Sequence, residues 1–266
     1  MRTPRPKSAG KKRALSLTLV ATALLSLSPI LSHATVFWDD EMEPGNSGFD
    51  ISMLQGTISY DTSVKFSGNG SVRLDYPSNC YPDIITAQCG GFTERSHTST
   101  PHVFTRYYVM FSSTFTYGNT ETKIILSKTN TNVSSWWTTR YGSSNLVDQV
   151  QFVTDAVVES SSFSFNRGVW TCVEMEEKLS SGPGASDGFV NAWVNGSQVL
   201  HATGIFTTPP GDGATGYILK RIYRQVGIGS VWFDRIAVGD QRIGCSGSAP
   251  AGDTTPPASP IGLTIR

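Results

Sequence analysis

The sequence has few charged residues and lacks several features that define other classes of protein. Charged side chains make up 16% of the 266 residues. After residue 31, no apolar stretch approaches the roughly 20 residues that a transmembrane helix needs. No segment keeps a helical apolar period over three turns, and no Cys-x-x-Cys pair suggests a metal site. These absences argue against a helical protein, a multi-span membrane protein and a zinc-binding protein.

The first 34 residues have the features of a cleavable export signal. Six cations precede an apolar run over residues 14–31, which is followed by Ser32-His33-Ala34. This small-x-small ending suits cleavage before Thr35. A membrane anchor is the alternative, but serines and a proline interrupt a run that is already short for that role. We therefore expect a secreted protein, extracellular or periplasmic, whose mature part begins at Thr35.

Loss of the signal would leave a negatively charged chain. Six of the 21 cationic residues and none of the 21 acidic residues precede Thr35, which leaves 15 cations against 21 acids, a net charge of −6. Nucleic acids and anionic membranes both favour a basic surface. Neither is therefore an expected partner.

Period-two alternation, with many β-branched and aromatic residues, dominates the chain from residue 35 to residue 245. Asn195-Gly196 separates two such segments, residues 189–194 and 197–201, and is a strong hairpin signal. The pattern predicts an all-β fold, a two-sheet antiparallel β-sandwich. Over residues 246–266 the composition changes to Pro, Thr, Ser and Gly, which indicates a tail or linker.

The four cysteines all follow the signal, where an oxidising compartment favours disulfides. Four cysteines allow three pairings. We favour Cys80 with Cys89 as a local loop closure, and Cys172 with Cys245 as a link from a middle strand to the end of the last one. A metal site is the alternative, but the histidines are poorly placed for it.

Several segments together resemble the concanavalin A-like lectin/glucanase superfamily, in particular its jelly-roll polysaccharide lyases. The segments that carry the resemblance are Phe37-Trp-Asp-Asp-Glu41, residues 70–77, 106–111, 123–128, 170–175 and 193–196, and Phe233-Asp-Arg-Ile-Ala-Val238. The resemblance implies a jelly roll that holds a polysaccharide or other glycan against a concave sheet, and we expect the protein to be a monomer. In these lyases a Lys follows the long strand, and Lys123 matches it. The Gln-x-His and Arg-x-Glu-x-Arg runs of such enzymes are absent.

A lyase acting on uronic acids must neutralise the sugar carboxylate, remove the C5 proton and protonate the leaving oxygen. Arg and Gln suit the first task, and Tyr and Lys suit the others. Strand alternation puts Arg106 and Tyr108 on one face of their strand. We predict that Arg106, Tyr108, Lys123 and Gln151 form the catalytic set on one concave sheet, with Arg95 binding substrate nearby.

A non-catalytic carbohydrate-binding or adhesion module is the main alternative. Trp136 and Trp137, with Tyr141, are expected in a polar loop, where indole rings could stack on the apolar face of a pyranose. A glycoside hydrolase is a further alternative, because Glu174 and Glu176 share a strand face at a separation that two catalytic carboxylates need.

An acidic cluster suggests a structural calcium ion, although no cofactor is expected to be required. Asp39, Asp40, Glu41 and Glu43 follow the first strand, and Asp234 lies in the last. First and last strands are neighbours in many jelly rolls, so these carboxylates could converge on a hard cation. Glu43 and Asp234 are the predicted metal ligands.

Overall fold

The chain folds as β-strands joined by loops. The computed structural model describes residues 35–49, 58–78, 90–117, 122–131, 134–139, 145–151, 156–208, 211, 213–225 and 227–245. The expected export signal, Cys80, Cys89, Tyr141 and the tail lie outside the described residues. The described part contains no α-helix, and therefore no helix with the length and apolar character to cross a membrane.

Fifteen strands follow one another along the described chain. They are β1 Val36–Asp40, β2 Ile58–Asp61, β3 Ser71–Tyr76, β4 Gly90–Thr100, β5 His102–Phe111, β6 Thr116–Tyr117, β7 Thr122–Thr129, β8 Ser134–Thr139, β9 Asn145–Gln151, β10 Ala156–Ser164, β11 Thr171–Lys178, β12 Gly188–Val194, β13 Ser197–Ile205, β14 Tyr217–Gln225 and β15 Gly227–Gly239.

The strands form two antiparallel sheets. The nine-stranded sheet has the order β13-β12-β11-β5-β15-β3-β2, and β1 and β6 also pair with β15. The six-stranded sheet has the order β10-β9-β8-β7-β14-β4. This arrangement confirms the predicted two-sheet antiparallel β-sandwich.

Apolar side chains from both sheets form one core. On β5, Tyr107, Val109 and Phe111 are at most 1% exposed and belong to the core cluster, as does Ile222 of β14. Because side chains alternate along a strand, their neighbours point the other way. We call the side of each sheet that enters this core its inner face, and the opposite side its outer face.

The predicted hairpin at Asn195-Gly196 is confirmed. Strands β12 and β13 pair directly around it, with Val194 opposite Ser197. Asn195 and Gly196 both have positive φ angles, 48° and 84°. A two-residue turn of this kind matches the twist of the flanking strands, and Asn-Gly adopts it at low cost.

The segment around Trp136 and Trp137 differs from the prediction. The prediction that both residues lie in a polar loop is wrong: they lie in strand β8, between β7 and β9. The six residues Ser-Ser-Trp-Trp-Thr-Thr include strong strand formers but show no apolar–polar alternation. Pairing with two neighbouring strands, which the local sequence does not reveal, makes this segment a strand.

The end of the described chain is fixed to the outer face of the nine-stranded sheet. Cys172 of β11 and Cys245 form a disulfide, the pairing that the sequence favoured. Beside it, Glu174 accepts hydrogen bonds from the backbone N–H groups of Ile243 and Gly244, at 2.5 and 3.0 Å. Arg242 also pairs with Glu174, at 3.2 Å. Residues 242–245 are thus held against β11.

Candidate functional site

The four predicted catalytic residues do not share one sheet. Arg106 and Tyr108 lie in β5 of the nine-stranded sheet, whereas Lys123 lies in β7 and Gln151 in β9 of the six-stranded sheet. The prediction that all four occupy one concave sheet is therefore wrong. Strands β5 and β7 are close in sequence but belong to opposite layers of the sandwich.

Arg106 and Tyr108 are buried under neighbouring side chains on the outer face of the nine-stranded sheet. Arg106 is 1% exposed and its guanidinium donates to Asp39 at 3.0 Å. The ring of Tyr108 is stacked on Phe66, with 3.8 Å between the ring centroids. Burial raises the pKa of Tyr108, and the nearby Arg106 only partly opposes this. Both side chains are therefore engaged in packing rather than presented to a ligand.

Arg95 connects the two sheets at the edge strand β4. Its guanidinium pairs with Asp40, whose side chain is fully buried, and lies 4.7 Å above the ring of Trp38. Asp40 in turn accepts hydrogen bonds from the backbone of Met42 and Gly48. The predicted role of Arg95 in substrate binding is untested, but its described contacts are all structural.

The outer face of the six-stranded sheet presents a different set of polar residues. On β14, Lys220 and Ile222 point inward, so Arg221 lies on the outer face. On β7, Ile124 and Ile125 both enter the core because the pairing shifts register between Lys123 and Ile125. This irregularity leaves Lys123, which is half-buried, on the outer face.

The strand register aligns these residues with others on β14. Lys123 is paired with Gln225. Arg221, Tyr223 and Gln225 are every second residue of β14 and therefore belong to the same side of that strand. Arg221 and Gln225 are four residues apart, which corresponds to about 13 Å along the strand. Cationic, phenolic and amide residue types thus follow one another along β7 and β14.

Arg221 is held in a fixed orientation on this face. Its Nε donates to Glu94 Oε2 at 2.8 Å, and its Nη2 also contacts that oxygen. The guanidinium carbon lies 3.7 Å from the centroid of Phe92, so that ring supports the cation. The face therefore presents a cation whose charge is partly balanced by Glu94.

Trp136 and Gln151 lie in the next two strands of the same sheet, β8 and β9. Trp136 is in register between Leu126 and Gln149, and Leu126 is in turn opposite Arg221. Gln151 is opposite Ser134, in the next row of the sheet on the same alternation as Gln149. Trp137 occupies the intervening position of β8, opposite Ile125 and therefore on the opposite alternation to Trp136.

The two carboxylates considered for a glycoside hydrolase have other partners. Glu174 is fully buried and both of its oxygens hold residues 242–244. Glu176 bonds to His102 and Asn191, each at 2.7 Å. Burial opposes ionisation of Glu176, but these two hydrogen bonds outweigh it and hold the pKa of that carboxyl below its usual range. A catalytic Glu174/Glu176 pair is therefore not supported, because Glu174 is inaccessible.

The two residues predicted to bind calcium, Glu43 and Asp234, bond to backbone N–H groups instead. Glu43 Oε1 accepts from the backbone N–H of Asn69 at 2.6 Å, and Asp234 Oδ2 accepts from the backbone of Phe66 and Ser67, at 2.7 and 3.1 Å. Both carboxylates thus hold the loop between β2 and β3.

The other acidic residues of that cluster form ion pairs. Asp39 pairs with Arg106 and Arg235, and Glu41 also pairs with Arg235. Among the described residues, no group of three or more His, Cys, Asp or Glu side chains could hold a metal ion. The geometry gives no support to the predicted calcium site.

Two loops match the letter patterns of catalytic motifs without their structural context. Gly184-Ala-Ser-Asp-Gly188 fits Gly-x-Ser-x-Gly, but it leads from a loop into strand β12 rather than from a strand into a helix. Gly211-Asp-Gly-Ala-Thr-Gly216 fits Gly-x-Gly-x-x-Gly, but strand β14 follows it. We therefore assign no catalytic or nucleotide-binding role to either loop.

Comparison with solved structures identifies the fold. The chain is similar to an endo-β-1,4-glucuronan lyase from the fungus Trichoderma reesei, with a TM-score of 0.58, 16% identity and 78% of this chain and 96% of that one covered. It has a concanavalin A-like jelly-roll fold. No protein-family model and no curated protein matches the sequence.

Other jelly rolls are similar over much of their length. An alginate lyase, vAL-1 from Chlorella virus, has a TM-score of 0.52 at 12% identity, with 73% of this chain and 99% of that one covered. The globular domain of T. cruzi calreticulin has a TM-score of 0.52 at 9% identity, with 78% and 89% covered. At these identities the similarity establishes the fold.

Sequence reasoning missed Arg221, Glu94 and Tyr223 as candidate site residues. These residues lie within the region of period-two alternation, in strands β4 and β14. No apolar–polar alternation distinguishes the two sides of β14, because the buried Lys220 places a charged residue on its inner face.

Proposed function

We propose that the protein is a secreted polysaccharide lyase that cleaves uronic-acid polymers by β-elimination on the outer face of the six-stranded sheet. The observation that carries the proposal is the alignment of Lys123, Tyr223 and Arg221 on two adjacent central strands of this face. The jelly-roll fold, similar to that of a glucuronan lyase, supports it.

The three residue types match the three tasks of the reaction. Arg221, supported by Phe92 and oriented by Glu94, suits the sugar carboxylate, whose negative charge must be neutralised before the C5 proton becomes acidic. Lys123 and Tyr223 are about two residues apart along adjacent strands, so one can accept the C5 proton and the other can donate to the leaving oxygen. The carbon–hydrogen and carbon–oxygen bonds break and a C4–C5 double bond forms.

Neighbouring rows of residues on this sheet would hold the sugar units on either side of the one that is cleaved. Gln149 and Gln151 share an alternation with Trp136 in the strand register. An amide is a residue type that suits sugar hydroxyls, and an indole is one that suits a pyranose face. Of the predicted catalytic set, the proposal retains Lys123 as a reacting group and Gln151 as a substrate contact.

Absorbance near 235 nm tests the proposal directly, because β-elimination creates an unsaturated uronate that absorbs there. The mature protein is incubated with glucuronan, alginate, heparin and pectin in turn. We expect a rise with one of the four polymers. Lys123→Ala should lower kcat at least 100-fold, as expected for loss of a general acid or base, with Tm unchanged.

Lys65→Ala is the matched control, since Lys65 is an exposed residue in the loop between β2 and β3. It should retain full activity. A Lys123→Ala variant with the wild-type rate would contradict the role of Lys123.

A non-catalytic glycan-binding module is the second candidate, and one observation favours it. Glu94 already balances the charge of Arg221, which suits a surface that holds a sugar without reacting with it. A flat absorbance trace on all four polymers, together with binding of one of them measured by calorimetry, would support this candidate over the lyase.

A further inference from the structure

A charged pair is buried between the two sheets. Lys220 Nζ donates to Glu177 Oε2 at 2.8 Å, and both side chains are 0% exposed. Ser127 Oγ contacts both the ammonium and the carboxylate. The three residues come from β14, β11 and β7, so the cluster joins one strand of the nine-stranded sheet to two strands of the six-stranded sheet.

Stability alone does not account for this cluster. Desolvation of two charges offsets most of their attraction, and replacing a buried pair by apolar residues of similar size is often neutral or stabilising. In some proteins buried polar or ionic groups instead fix a particular alignment of the elements that carry them.

Two further titratable side chains, Tyr107 and His97, are influenced by the pair. Burial, together with the negative charge of Glu177, raises the pKa of Tyr107. Burial and then the positive charge of Lys220 lower the pKa of His97 to about 4. Both neighbouring side chains are thus neutral near pH 7.

The cluster lies directly beneath the candidate face. Lys220 is opposite Ser127 in the β14–β7 register, and Leu126 and Arg221 are the next residues along the same two strands. Their side chains point outward where Ser127 and Lys220 point inward. Any shift of β14 against β7, or of both against the nine-stranded sheet, would therefore move the residues of the face.

We propose that Glu177 is a positioning residue which, through Lys220 and Ser127, fixes β7 and β14 and so sets the spacing of Lys123 and Arg221. The inference rests on the proposed function of that face. Glu177 acts from the opposite sheet and touches no substrate, so its effect is on geometry rather than on proton transfer.

A double substitution, Glu177→Leu with Lys220→Met, tests the proposal because it removes both charges and retains similar volume. We expect an equal or higher Tm, a kcat at least tenfold lower and a KM changed by less than threefold. Hydrogen exchange of the β7 and β14 amides should be at least tenfold faster. If the double variant does not fold, Glu177→Gln with Lys220→Met replaces it, with the same expectations for kcat, KM and hydrogen exchange but not for Tm.

Met175→Leu is the matched control, because Met175 is fully buried on the same inner face of β11, two residues from Glu177. It should leave kcat and the exchange of β7 and β14 unchanged. A folded double variant with the kcat and the exchange rates of the wild type overturns the inference.

The same experiment separates this inference from the proposed function. If the wild-type protein gives no absorbance at 235 nm with any polymer, the lyase proposal fails. Hydrogen exchange then decides the inference: faster exchange confined to β7 and β14 supports Glu177 as their positioning residue, and unchanged exchange refutes it.

Discussion

Replacement of Asp234 by Asn is expected to change how the stability of the fold depends on pH. Asp234 is 0% exposed and its Oδ2 accepts two backbone hydrogen bonds from Phe66 and Ser67. Its Oδ1 has no hydrogen-bond partner among the described residues. Burial raises the pKa of this carboxyl to about 7, although the backbone N–H groups oppose the rise.

Because the pKa of Asp234 is raised, this residue makes the folded protein less stable as the pH rises. The folded protein binds this proton more tightly than the unfolded chain, whose Asp pKa is near 3.8. The stability that Asp234 contributes is therefore complete below about pH 4 and is lost as the pH rises to about 7. About three pKa units at about 1.4 kcal/mol each give a loss of about 4 kcal/mol at most.

In the wild-type protein, His97 makes the fold more stable as the pH rises, which is opposite to the effect of Asp234. Burial and Lys220 lower its pKa to about 4, so its contribution is lost as the pH falls from about 6.5 to about 4. The two trends partly cancel between pH 4 and pH 6.5. The informative quantity is accordingly the difference between the variant and the wild type at each pH.

Urea unfolding, followed by tryptophan fluorescence from pH 4 to pH 8, measures that difference. Asn resembles a permanently protonated Asp, so the variant should gain up to about 4 kcal/mol over the wild type as the pH rises. Asp187→Asn is the control: hydrogen bonds from Ser181 lower the pKa of Asp187, so this variant should be less stable than the wild type by a nearly constant amount over most of this pH range. Parallel curves for Asp234→Asn and the wild type would refute the reasoning.

Two further substitutions test structural contacts. Replacing Cys172 and Cys245 by Ser should lower the free energy of unfolding by about 4 kcal/mol, because the disulfide closes a loop with a sequence separation of 73; equal urea midpoints for variant and oxidised wild type would contradict this. Arg95→Ala should cost about 3–5 kcal/mol in the same assay, since it leaves the buried Asp40 carboxylate without its cation. An unchanged stability with weaker glycan binding would instead restore Arg95 as a substrate contact.

The fold could be predicted because its determinants are local. Alternation along segments such as residues 103–111 distinguishes the inner from the outer face, and Asn195-Gly196 fixes one hairpin through the backbone angles that it favours. The segment around Trp136 was missed because strand formation there depends on partners on both sides.

The candidate site depends on which strands become neighbours, and that information is not local. Arg106 and Lys123 are 17 positions apart in sequence but lie in different sheets. The faces of strand β14 are even more difficult to predict from sequence. Its buried Lys220 places a charge on the inner face and hides the alternation that would have marked Arg221 as outward-facing. A buried ion pair thus removed the sequence signal for the residue beside it.

The attachment of residues 242–245 to β11 has a practical consequence for experiments on immobilised protein. Cys245 is covalently fixed on the outer face of the nine-stranded sheet, the layer opposite the candidate face. A tag joined directly after residue 245 would therefore begin on the far side of the sandwich. Coupling through such a tag directs the candidate face toward solution, whereas coupling through Lys123 would block it.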